Sequence, residues 1–81
     1  MLRSLECAVL GALLAAEDPV ERTAAKVAHR VAESPRTVER ALRMLESRSP
    51  PLAQRNPDPE LEIVGWSVTD AGRTAHERDC W

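Results

Sequence analysis

A helix with two opposed faces, opened by a serine and a proline, sets the tightest limit on what this chain can fold into. Residues 34–45 read SPRTVERALRML. Ser34 is a residue that caps helix N-termini, and Pro35 suits the first helical position, where its missing N–H costs nothing. At about 100° per residue, Arg36, Arg40 and Arg43 fall within roughly 60° of one another. Val38, Ala41, Leu42 and Leu45 fall on the opposite side. The helix has an apolar stripe to bury and an arginine stripe to present, so it must lie on a core with one face outward. Just upstream, residues 23–33 read TAAKVAHRVAE, a shorter helix that Thr23 can cap, with Val27, Ala28 and Val31 inward. Glu33-Ser34-Pro35 breaks the two apart.

The core that receives this stripe is built from small aliphatic residues. Among 81 residues there is no Phe and no Tyr, and the only aromatic side chains are Trp66 and Trp81. A chain this short forms one domain, residues 1–81, with no room for a second core. Ten of the eleven basic residues are Arg. With the abundance of alanine, this bias reads as a GC-rich coding genome, bacterial or phage.

Residues 7–16, CAVLGALLAA, are apolar throughout. One reading is the apolar stretch of a signal peptide. The favoured reading is a buried first helix over residues 4–16, capped by Ser4 and stopped by Asp18-Pro19, because ten residues cannot span a bilayer and their loss would remove the best core helix. Its apolar residues cover more than one face, and the excess points to a second copy or another partner. Cys7 reads as a small core residue and Cys80 as an exposed thiol near the end, with no CxxC pair. His29 and His76 add no ligand spacing. No metal and no cofactor is expected, and a reducing cytoplasm is the default compartment.

Downstream of the two-faced helix, which is expected over 35–47, Pro50-Pro51 forbids continuation. Val20 is expected to form a short extended link earlier in the chain. Residues 52–55 and 61–69 read as two strands, joined by a turn at Asn56-Pro57-Asp58-Pro59. Val64, Trp66 and Val68 alternate onto one face, with Gly65 and Ser67 on the other. Thr69 can cap a last helix over 70–78. Three helices, a hairpin and a short helix make a mainly α fold with a small β-hairpin. This is a winged helix-turn-helix, with the helix-turn-helix at 23–48 and the wing at 52–69.

Two segments carry a family resemblance. SPRTVERALRMLES resembles the recognition helix of the MarR and PadR regulators, and VGWSVTDAGRTA is similar to their second wing strand and the turn after it. The resemblance covers roughly residues 20–76. It implies a DNA-binding transcriptional regulator. Glu33 departs from the apolar residue common in the turn, and Ser47 to Pro51 replaces the usual glycine-containing link. The long terminal helices of those families are not in this sequence, so their dimer mode and effector binding are not implied.

Charge is distributed unevenly. The net charge is −2, yet residues 22–48 hold seven cations and three carboxylates. An Arg-rich helix face can be merely solvated, but that does not require the arginines to align. A helix fits the major groove of DNA, where Arg donates two hydrogen bonds to guanine. Arg36, Arg40 and Arg43 are the expected base contacts, supported by Ser34 and Thr37; Arg43 could reach a phosphate instead. Thr23, Lys26 and Arg30 are the expected backbone contacts, since the second helix crosses the phosphates in this motif. Arg55 is a candidate for phosphate or the minor groove. Glu39 is either a cytosine reader or an intrahelical ion-pair partner. No catalytic triad, phosphate loop or carboxylate pair can be placed, so an enzyme is not expected. The expected partner is double-stranded DNA, read as a repressor in the cytoplasm. A homodimer through helix one is expected, because one recognition helix reads only a few base pairs. The alternative is a winged-helix protein-interaction module, such as a phage-encoded inhibitor or adaptor, anchored by helix one, Trp66 or Trp81. No membrane association is expected.

Overall fold

The computed structural model describes residues 2–60 and 62–80. Its order is α1 (Ser4–Ala15), a 3₁₀ turn (Pro19–Arg22), α2 (Ala24–Val31), α3 (Pro35–Glu46), β1 (Ala53–Asp58), β2 (Ile63–Val68) and α4 (Asp70–Asp79). This is a winged helix-turn-helix. Thr23, Ser34 and Thr69 each cap the helix that follows, accepting from the backbone N–H of Lys26, Thr37 and Gly72.

The start of α1 differs from the expectation. Arg3, not Ser4, is the flanking residue, and its N–H donates to Glu6 Oε1 at 2.9 Å. Glu6 is buried at 5 % exposure and accepts from Arg48 at 3.2 and 3.3 Å. A carboxylate can be buried here because a guanidinium and a backbone N–H replace its water. It ties the first turn of α1 to the residues just beyond α3, across 42 positions.

Val20 is not in an extended link. Asp18 Oδ1 accepts from the Val20 N–H at 2.9 Å and Pro19 opens a helical turn, as its fixed φ favours. The extended pairing falls on Thr23, which bridges Gly65 of the wing.

The first wing strand runs further than the sequence suggested, and the second is shorter. β1 and β2 pair antiparallel from Ala53↔Val68 to Asp58↔Ile63, so Asn56, Pro57 and Asp58 lie in the strand. The reversal comes three residues later, around Pro59. Pro57 is tolerated because β1 has a partner on one side only, and a proline facing the open edge removes no ladder bond. Asn56 Nδ2 also donates to Ser67 Oγ at 2.7 Å across the hairpin. The expected alternation in β2 holds in part. Trp66 is buried and Val68 packs at the core edge, but Val64 is 48 % exposed because the hairpin runs past the core. Gly65 is buried beneath the Thr23 segment.

The core joins Val9, Leu10 and Leu13 of α1, Val27 and Ala28 of α2, Val38, Leu42 and Leu45 of α3, and Leu52, Ala53 and Trp66 from the wing. Trp66 is the core filler beneath the wing; Trp81 lies outside the described residues. On α1, the exposed face is Ser4, Ala8 and Ala15, while Gly11 approaches His76 of α4. Much of the apolar excess of helix one is therefore covered within the chain.

Cys7 and Cys80 form a disulfide, with Cα atoms 5.4 Å apart. This corrects the reading of one core thiol and one exposed thiol. The pairing arises because α4 packs on α1 and brings residues 73 positions apart together. Closing a loop of that length stabilises the fold by about 4 kcal/mol in the chain-entropy account.

The Thr-x-x-Gly turn at the wing's end has a physical basis. Thr69 Oγ1 donates to the Pro51 carbonyl at 2.6 Å and its N–H donates to the Leu52 carbonyl at 3.2 Å. Gly72 sits where a Cβ would run into that same Leu52 carbonyl. Gly72→Ala should lower stability by about 1–3 kcal/mol, since the obstacle is backbone. Leu42→Ala, at a fully buried position, should lower it by about 2–5 kcal/mol. Denaturant melts of the two variants check both values.

Candidate nucleic-acid interface

The turn between α2 and α3 sets the angle at which α3 is displayed. Ala32 ends α2 at φ 59°, ψ 44°, in the left-handed region, without the glycine usual there. The Glu33 N–H donates to the Ala28 carbonyl at 3.0 Å and the Ala32 N–H to the His29 carbonyl at 3.4 Å. Two orphan carbonyls of α2 are satisfied within the turn. Glu33 points to solvent, so the turn does not need the apolar residue expected there.

Beyond the turn, α3 has the two faces the sequence implies. Val38, Ala41, Leu42 and Leu45 are buried, and Arg36, Arg40 and Arg43 are exposed. Arg43 is engaged by Glu39 at 3.0 Å, one turn away, so Glu39 acts as an intrahelical partner. Among the described residues, no carboxylate pairs with Arg36 or Arg40. Their charges, near the start of α3, are free for an outside ligand. Lys26 and Arg30 are exposed one turn apart on α2 and likewise have no ion-pair partner among the described residues.

The hydroxyls are more committed than the sequence suggested. Ser34 Oγ accepts from the Thr37 N–H at 3.2 Å and donates to Thr37 Oγ1 at 2.8 Å. Thr23 Oγ1 accepts from the Lys26 N–H and donates to the Val20 carbonyl. Both side chains spend their hydrogen bonds on helix starts. Thr37 is half-buried beside Arg40.

Arg55 lies elsewhere than expected. The extension of β1 to Asp58 places it mid-strand opposite Trp66, not near the tip. Its Nε donates to Glu46 Oε2 at 3.1 Å, and its guanidinium lies 6.0 Å from the Trp66 ring centre. It joins the end of α3 to the wing. Past Arg55, residues 56–63 carry three carboxylates and no cation. This tip is acidic, in contrast to the exposed cations of α2 and α3. The pairing of Glu6 with Arg48 was not expected from the residues. A lone Glu before an apolar run and an Arg after a helix carry no signal that they meet.

No known family's sequence profile matches the chain, and no curated protein is similar to it. Solved structures are. A mutant of ZitR from Lactococcus lactis superimposes with a TM-score of 0.75 and 27 % identity over 95 % of this chain. MepR of S. aureus, in a complex with DNA, superimposes with a TM-score of 0.77 and 25 % identity over 94 % of it. This chain spans about half of each, 49 % and 52 % of their lengths. Both are MarR-family winged-helix transcriptional regulators, in agreement with the sequence resemblance. No helix among the described residues is long and apolar enough to cross a membrane.

The left-handed Ala32 offers a test of the turn that leaves the arginine face untouched. Ala32→Gly removes a Cβ that costs roughly 1–2 kcal/mol in this region, partly offset by glycine's greater unfolded-state freedom. A net gain of about 1 kcal/mol is expected, read as a higher thermal midpoint with the arginine face of α3 unchanged.

Proposed function

We propose that this chain is a DNA-binding winged-helix domain of a transcriptional regulator and that it inserts α3 into the major groove. The observation that carries this reading is the arginine stripe, held outward by the burial of Val38, Leu42 and Leu45. Support comes from the likeness to MepR, which was crystallised on DNA.

Arg36 and Arg40 are assigned to base edges, since their guanidiniums are unpaired among the described residues and lie in the first half of α3. Arg43 shares its charge with Glu39 and fits a phosphate or an outer base. Ser34 and Thr37 present the start of α3 to the groove, with Ser34 fixing the helix end. Lys26 and Arg30 meet phosphates beside Thr23, as α2 crosses the backbone. Arg55 makes the smallest contribution, because its guanidinium is already held by Glu46 and Trp66.

A single α3 reads few base pairs, so the working species is a homodimer over two half-sites about one helical turn apart. Its interface runs along the exposed small-residue face of α1, Ser4, Ala8 and Ala15, where two helices can approach closely. Such a dimer acts as a repressor by occupying a promoter, in the cytoplasm of a bacterium or from a phage. The chemistry is binding alone, with no enzymatic step. The protein-interaction reading makes the opposite prediction about the arginines.

Titration against DNA at several salt concentrations separates the roles. Lys26→Ala should weaken binding to all sequences alike and reduce the salt slope by about one unit. Arg40→Ala should cost about 1–3 kcal/mol and relax preference at one or two base pairs. If Arg36, Arg40 and Arg43 can be replaced together without loss of affinity, α3 does not read DNA. Sedimentation that finds only a monomer, with and without DNA, rejects the dimer.

A further inference from the structure

We propose that the cavity between the 3₁₀ turn and the wing binds a small carboxylate with an apolar body, and that Arg22 receives its charge. The cavity shares no lining residue with the arginine stripe of α3 or with the α1 face assigned to the dimer.

Arg22 is the starting point. It ends the 3₁₀ turn and is half-buried. Its Nε is sealed from solvent, and no acceptor of the chain reaches it. Among the described residues, no other buried side-chain nitrogen or oxygen is left in that condition. No carboxylate among them pairs with its guanidinium either. A charged donor withdrawn from water without an acceptor destabilises a fold, and native structures keep few such groups. The contrast is Glu6, the other polar group deep in this domain, which a guanidinium and a backbone N–H compensate.

Arg22 lines a cavity of about 270 Å³ with Pro19, Pro57, Pro59, Ile63 and Trp66. That volume suits a ligand smaller than a drug-sized one. Paired backbone sets its walls. Thr23 bridges Gly65, and the Pro19 and Arg22 carbonyls lie within 4.0 Å of a Cβ position on Gly65. The prolines offer ring carbons and no N–H, and Ile63 and the indole extend the apolar wall. Asn56 also lines the cavity, but its Nδ2 is committed to Ser67. Arg22 is the one charged residue among the described lining.

One cation on an apolar wall calls for one anion on an apolar body. A planar carboxylate meets Nε and one Nη side-on, with two parallel hydrogen bonds. It supplies the acceptor that the buried donor lacks, and its apolar remainder packs on the prolines and the indole. A bare inorganic anion leaves those walls unused. Duplex DNA is a poorer fit, because its phosphates lie along a convex backbone. Residues 56–63, beside the cavity, also carry three carboxylates and no cation, which disfavours a polyanion more than a single charge.

The test titrates the full chain with hydrocinnamate, its neutral amide, acetate and inorganic phosphate at constant ionic strength. NMR follows the Arg22 Nε–H and the Trp66 indole N–H. Hydrocinnamate should saturate with a Kd of about 1 mM, in keeping with its size, and both resonances should shift together. The amide, which lacks the charge, and acetate, which lacks the apolar body, should each bind at least about tenfold more weakly. Arg22→Lys should lose about tenfold, since an ammonium cannot form the paired bonds, and Arg22→Met should lose more. Hydrocinnamate should raise the thermal midpoint, and the amide should not at the same concentration. Equal affinity for acid and amide would make the cavity a general apolar cleft and overturn the proposal. Equal affinity for acetate, or tighter binding of phosphate, would reduce Arg22 to a bare anion contact and overturn it too. So would undiminished affinity in Arg22→Met, shifts that map away from the cavity, or no saturation at about ten times the expected Kd. The amide comparison uses the unaltered chain and decides the matter even if the Arg22 variants do not fold.

Discussion

The burial of one stripe on α3 is the constraint on which the rest of this structure depends. Val38, Leu42 and Leu45 are fully buried, each contributing roughly 1.5–3 kcal/mol. That burial fixes the rotation of α3 about its axis. Once the stripe is inward, Arg36, Arg40 and Arg43 can only point outward. A core without Phe or Tyr makes the requirement stricter, because each buried aliphatic is a larger share of a small total.

Every other element grips α3 or what α3 rests on. The αL turn at Ala32 sets its entry from α2. The Leu52 N–H donates to the Leu45 carbonyl at 3.0 Å, so the wing starts from the end of α3. Arg55 ties the same end to the hairpin through Glu46, and Arg48 ties it to α1 through Glu6. Thr69 and Gly72 then lock α4 to the wing's base. These contacts hold α3 at both of its ends.

The electrostatics divide the surface in a way the net charge conceals. The cations of α2 and α3 are exposed, while residues 56–63 are acidic. Neighbouring carboxylates already moderate two of the arginines, Arg43 and Arg55. Arg36, Arg40, Lys26 and Arg30 are exposed with no ion-pair partner among the described residues.

Much of this was legible in the residues. Helix caps at Thr23, Ser34 and Thr69, the opposed stripes of α3, the order of elements and the resemblance to winged-helix regulators were open to reading because each rests on neighbours within a turn or two. The wing's tip was misplaced because Asn-Pro-Asp-Pro favours a turn locally, whereas an unpaired edge lets proline stay in a strand. Val20 went the wrong way because Asp18 and Pro19 together nucleate a turn that Val20's own preference does not reveal. The long-range contacts had no sequence signal. Glu6 meets Arg48, Cys7 meets Cys80 and Thr23 meets Gly65 only after the helices pack. Local chemistry determined which elements form and which face of α3 is basic. Tertiary structure alone decided which distant side chains neutralise, cross-link or release one another, because those pairings depend on where packed elements end in space.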